Sequence, residues 1–170
     1  MTDDATHKDR LRGKSPPAGL SAYFPAKEPE DEGAEAPGGA FGYLRGIRES
    51  GATIEFRFRD GNSRWFSYGW LGTWQYNPSE GLLLQFSGNL VYLVLIKGSN
   101  LAKPLNDGAI NLTHAGLQRH RVLWVREMSK EDIRQVGETG PTIDSIEISA
   151  FETNDALKEW VSQKAPAFMQ

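Results

Sequence analysis

Apolar and polar positions begin to alternate at Phe41. In "ATIEFRFRD", Ile54, Phe56 and Phe58 fall on one face and Glu55, Arg57 and Arg59 on the other, the period-two pattern of a half-buried antiparallel strand. Asp60-Gly61-Asn62-Ser63 follows as a tight turn, because Gly and Asn tolerate the positive φ that two-residue hairpin loops demand. With Gly61 and Asn62 as the loop, Phe58 faces Trp65, Arg57 faces Phe66 and Arg59 faces Arg64 across the hairpin. A second hairpin runs from "LLLQF" through Ser87-Gly88-Asn89-Leu90 into "VYLVLI". Between the two, "TWQYN" predicts a short strand with "PSEG" as its exit turn, and "FGYLRGI" an additional first strand. Five or six strands over residues 41–97 predict a β-rich α+β protein built on a small antiparallel barrel, similar to Sm, SH3 or OB barrels in architecture only. The last two of these strands are apolar on both faces, one face for the barrel interior and the other for a covering helix.

Beyond Gly98 the pattern turns helical around "SNLAKPLND" and again around "NLTHAGLQRH", then alternates in "RVLWVRE". Ser129 and Asp132 form a capping box for a short helix, "KEDIRQV", that stops at Gly137. "TIDSIEIS" predicts a strand, and Thr153 or Asn154 caps a last helix in which Leu157, Trp160 and Val161 share one face. Residues 1–40 are rich in Pro, Gly, Ala and Glu and lack periodicity, which predicts a disordered arm. One apolar island, "GLSAYFP" at 19–25, interrupts it and offers Leu20, Tyr23 and Phe24 to a protein partner. The Leu-x-x-Tyr-Phe spacing resembles the hydrophobic half of sliding-clamp-binding peptides, with Pro17 standing where that family carries glutamine. The expected organisation is an arm over 1–40, a barrel domain over 41–127, and an acidic β/α extension over 128–170 packed on the barrel.

Composition narrows the chemistry. The 170 residues include no cysteine, which removes disulfides, thiolate metal sites and thiol nucleophiles together. The three histidines, His7, His114 and His120, have no spacing typical of a zinc helix, and no Gly-x-Ser-x-Gly, dinucleotide or P-loop motif occurs, so no catalytic residue, metal or cofactor is assigned. The first residues are polar without an apolar core, and the longest apolar run, Leu90 to Ile96, is far short of the roughly 20 residues that span a bilayer. A cytoplasmic protein that does not enter membranes is expected.

Charge is unevenly spread. Residues 1–40 hold five Lys/Arg against eight Asp/Glu, residues 41–126 ten against five, and residues 127–170 four against nine. A basic middle between acidic ends points to an acidic partner or to an internal charge match. Within that middle, residues 60–81 concentrate Trp65, Trp70, Trp74, Phe66, Tyr68 and Tyr76. Arg57, Arg59 and Arg64 with Phe66, Trp70 and Trp74 make a basic aromatic face, of the kind that stacks bases and tracks phosphates. Arg119, Arg121 and Arg126 around Trp124 make a second cluster; Trp65 and Trp124 themselves read as core. The chain is thus expected to be a non-enzymatic accessory or adaptor module for a protein partner. The alternative is a single-stranded nucleic-acid binder using the basic aromatic face. Which of the two holds turns on whether the acidic segment 127–170 covers that face.

Overall fold

The coordinates are a computed structural model that describes residues 33–46, 50–105 and 110–169, all within the unit Asp31–Gln170. Leu20, Tyr23 and Phe24 lie outside the described residues.

The first hairpin forms where the alternation places it, between β3 (Thr53–Arg57) and β4 (Ser63–Ser67), but its loop is longer than predicted. Phe58 N donates to Asn62 O (2.9 Å), Gly61 N donates to Phe58 O (3.1 Å), and Gly61 takes φ +88. This is a three-residue loop, Arg59-Asp60-Gly61, ending in a left-handed glycine. Asp60 accepts from the backbone N and side-chain amide of Asn62, which hold its carboxyl below the usual range. The register becomes Arg57↔Ser63, Glu55↔Trp65 and Ile54↔Phe66. An odd shift turns every β4 side chain to the opposite face. Phe66 therefore enters the core beside Ile54, and Trp65 comes out beside Glu55.

The chain leaves this sheet immediately after β4. The Ser67 hydroxyl accepts from Gly69 N (3.1 Å), a 3-10 turn spans Tyr68–Trp70, and Leu71 opens β5 (Leu71–Asn77) in a different sheet. β5 pairs with β6 (Gly81–Ser87), β6 with β7 (Val91–Ser99), and β7 with β9 (Thr142–Phe151), all antiparallel. The other sheet takes β1 (Ala34–Glu35), β2 (Phe41–Tyr43) and β8 (Val122–Arg126) in the order β1-β2-β8-β3-β4, with β3 and β8 parallel.

The expected small barrel is thereby corrected: the strands form one five-stranded and one four-stranded sheet, and neither closes. Two features cause this. The corner at Tyr68–Trp70 separates β4 from β5, and both sheets recruit strands from beyond residue 97, β8 in one and β9 in the other. The sheets pack through Ile54, Phe56, Phe66, Val122 and Val125 on one side and Leu82, Leu84, Phe86, Val94 and Ile96 on the other. Phe66 stacks on Phe86 with centroids 4.6 Å apart.

The C-terminal helices follow their sequence signals. α1 (Lys130–Val136) begins in the Ser129–Asp132 capping box and stops at Gly137, and α2 (Asn154–Lys164) is capped by the Thr153 hydroxyl. The outer face of the four-stranded sheet presents Leu83, Leu93 and Leu95, which Val161, Ala165 and Phe168 cover. This is the helix cover that two-faced apolar strands imply. The helix expected at "SNLAKPLND" is absent over residues 99–105, while "NLTHAGLQRH" yields a single π-helical turn, Leu112–Leu117, capped by Asn111.

Tyr68 pins the sheet-switching corner. Its hydroxyl donates to Val122 O (2.7 Å) and its ring stacks on His120 with centroids 4.4 Å apart. Burial pushes the phenol well above the ordinary tyrosine value near 10. The neutral hydroxyl's contribution is thus complete below about pH 10 and is lost as pH rises from there through the folded-state value. Tyr68→Phe is expected to cost roughly 1–3 kcal/mol at neutral pH, because the Val122 carbonyl loses its donor. In urea melts the variant's stability should also fall less steeply above pH 10 than the parent's; equal slopes would remove Tyr68 from the alkaline limb.

Candidate interaction surface

The outer face of the five-stranded sheet carries Glu55 and Arg57 on β3, Trp65 on β4, and Trp124 and Arg126 on β8, placed by the registers Glu55↔Trp65, Glu55↔Trp124 and Arg57↔Arg126. Gly42 on β2 lies opposite Trp124, and a Cβ there would overlap the indole ring, so glycine at 42 lets Trp124 lie flat on the sheet. The Arg57 guanidinium sits 4.3 Å from the Trp124 ring centroid and makes a 2.8 Å ion pair with Glu55. Stacking and pairing together fix a side chain that is otherwise costly to order. Next to this group Trp65 is 59% exposed, the most exposed large hydrophobic among the described residues.

At the hairpin end of the same face lies a polar cleft of about 360 Å³, lined by Arg57, Phe58, Arg59, Arg126, Glu127 and Asp132 among others. Its arginines are held internally. Arg59 donates to Asp144 O (2.8 Å) and lies 3.6 Å from Glu127. Arg126 donates to Gly38 O and Gly39 O (3.0 Å each) and lies 3.6 Å from Asp132. Glu127 also accepts from Arg59 N (3.0 Å) and Ile146 N (2.8 Å), which ties the hairpin loop to β9. The acidic segment that begins at Glu127 thus meets the basic face at this cleft and leaves Trp65 uncovered.

The residues grouped in the sequence as one basic aromatic face are divided by the fold. Arg57, Arg59 and Arg126 gather at the cleft, and Arg64 is exposed on β4 opposite Phe56. Phe66 is buried in the core. Trp70, 44% exposed, packs its ring against Gly88, and half-buried Trp74 belongs to β5, so both sit with the other sheet. Arg119 is exposed in the turn after the π-helical segment. Arg121 is 3% exposed and donates to Leu44 O (2.6 and 2.9 Å) and Arg45 O (2.7 Å), which makes it a clamp inside the fold. Sequence reasoning placed Trp65 and Trp124 in the core; the three-residue loop ending at Gly61 turns Trp65 outward, and Trp124 lies half-buried on the same outer face, while a loop glycine in the sequence fits two-residue and three-residue loops alike.

Among the described residues no three His, Cys, Asp or Glu side chains gather as a metal-binding group, and no helix is long and apolar enough to cross a membrane. Comparison of the chain with family models, with curated proteins and with solved structures gives no match.

Proposed function

We propose that the chain is a non-enzymatic interaction module, an accessory or adaptor subunit that meets a protein partner through the outer face of its five-stranded sheet. The observation that carries this reading is Trp65, 59% exposed on a rigid strand beside the fixed Arg57–Trp124 stack. Tryptophan and arginine are the side chains that most often dominate protein interfaces, and holding them in place before binding lowers the entropy lost on association. The partner patch has an apolar centre that covers the Trp65 indole. Its rim stays close to neutral, since Arg57 is already paired with Glu55.

The nucleic-acid reading is less well supported, because Arg59 and Arg126 spend their donors on carbonyls and carboxylates of the chain and Arg121 is buried. Trp65 lies on β4, whereas Trp70 lies in the corner after it and packs against Gly88 between β6 and β7, so the two do not form one stacking track. The test is affinity capture from native host extract with intact protein and with Trp65→Ala, alongside anisotropy titrations of a mixed-sequence oligonucleotide at low and near-physiological salt. Loss of a hot-spot tryptophan of about 2 kcal/mol or more should weaken the captured partner's binding by roughly 30-fold. Salt-sensitive oligonucleotide binding, or partner binding indifferent to Trp65→Ala, would overturn the proposal.

A further inference from the structure

β5 is an edge. Among the described residues it pairs on one side only, with β6, and Leu71–Asn77 contains no Lys, Arg, Asp, Glu or Pro. Edge strands that avoid further pairing are usually protected by charge, proline, shortness or a bulge. β5 has one irregularity, between Leu71 and Trp74, and runs regularly from Trp74 to Asn77. Tyr76 within the regular part and Trp70 just before β5 are both exposed aromatics.

Beside this edge opens a cleft of about 290 Å³, distinct from the Trp65 face and on the helix-covered side of the other sheet. It is lined by Thr73 and Gln75 of β5, Leu83 of β6, Leu93 of β7, Leu157 of α2 and Phe168, whose turn packs beside β5. The only charged residue among those lining it is Lys158. A strand side that no described strand pairs with, a mostly apolar trough alongside it and a cation on the rim together specify their ligand. Backbone pairing gives affinity for any extended chain, and the trough selects apolar side chains at every second position. The cation selects a carboxylate.

We propose that β5 and this cleft bind an extended peptide that adds as a fifth strand to the sheet, sets alternate apolar side chains into the trough, and places a carboxylate at Lys158. The site goes beyond the Trp65 reading and stands or falls separately from it. The carboxylate comes from an acidic side chain or from a peptide C terminus, and amidated peptides separate the two sources.

The experiment screens the full chain against random short peptides displayed with free C termini. Enriched sequences are then titrated by anisotropy as free acids and as amides. The proposal expects alternating apolar residues, hydrogen-exchange protection of the amides in Leu71–Asn77 on binding, and roughly tenfold weaker binding to Lys158→Glu, an exposed change outside the core. Amidation weakens binding where the terminus supplies the carboxylate and leaves it unchanged where a side chain does. Enrichment of no sequence overturns the proposal, as does protection confined to strands other than β5 or equal binding by Lys158→Glu. If sedimentation shows a dimer whose formation itself protects Leu71–Asn77, the occupant is a second copy of this chain and the peptide assignment falls, whatever Trp65→Ala does to partner capture.

Discussion

Replacing Phe86 with alanine is expected to cost roughly 3–5 kcal/mol, about a fifth or more of the roughly 5–15 kcal/mol that holds a typical domain folded. Phe86 is fully buried near the C-terminal end of β6, opposite Tyr92. Its ring stacks on Phe66 at 4.6 Å and meets Phe56 edge-on at 6.2 Å, so it joins the four-stranded sheet to both strands of the first hairpin. Truncation removes the transfer energy of the ring and leaves a cavity that two β-sheets, each tied by its own ladder, close only partly. Guanidinium melts of parent and variant at matched m-values give the difference directly. Phe58→Ala is the internal control: Phe58 follows β3 at the hairpin loop and is only half-buried, so its loss should be less than half as large. Equal losses for the two would mean that β3 continues in strand register through Phe58, as its apolar alternation alone suggests.

The difference between Phe58 and Phe86 marks where the sequence is legible. Alternation located β3 and β8, two apolar runs about a Gly-Asn turn located β6 and β7, and capping residues located α1 and α2, because period, turns and caps are local signals read within a few residues. The two-faced apolarity of "LLLQF" and "VYLVLI" also anticipated a helix cover, since Leu83, Leu93 and Leu95 need a second apolar layer. The pairing of distant segments was not legible. Nothing near "ATIEFRFRD" announces that β3 takes β8, some 70 residues on, as a parallel neighbour, and nothing near "VYLVLI" announces β9. The closed barrel was inferred from five or six adjacent strands, and it fails because the partners on either side are remote. The candidate surface depends on a finer feature still. One residue in the β3–β4 loop, Gly61 at φ +88, settles whether Trp65 or Phe66 faces outward. Arginines counted along the chain as a basic patch lose that character in three dimensions once carbonyls and carboxylates take up their donors.

Arg121 shows that loss most fully, and it supplies the second large effect. Arg121→Met is expected to destabilise by roughly 2–4 kcal/mol, since the thioether fills much of the space but leaves Leu44 O and Arg45 O without donors. A carbonyl left without the guanidinium carries a desolvation cost to the extent that it is buried, and the side-chain tie to the chain after β2 is lost while the backbone bond from Leu44 N to Arg121 O (2.9 Å) remains. Arg121→Lys retains the charge but replaces a planar fork by a single ammonium, which cannot reach two carbonyls with the same geometry, so its loss should fall between parent and Met. The order parent, Lys, Met in denaturant midpoint is the expected result. A residue at a partner or nucleic-acid surface gives the opposite pattern: little change in stability and weaker, less salt-dependent binding. If Arg121→Met melts with the parent while partner or oligonucleotide affinity drops, the side chain belongs to a binding surface and the clamp between Leu44, Arg45 and Arg121 is not what holds this end of the five-stranded sheet.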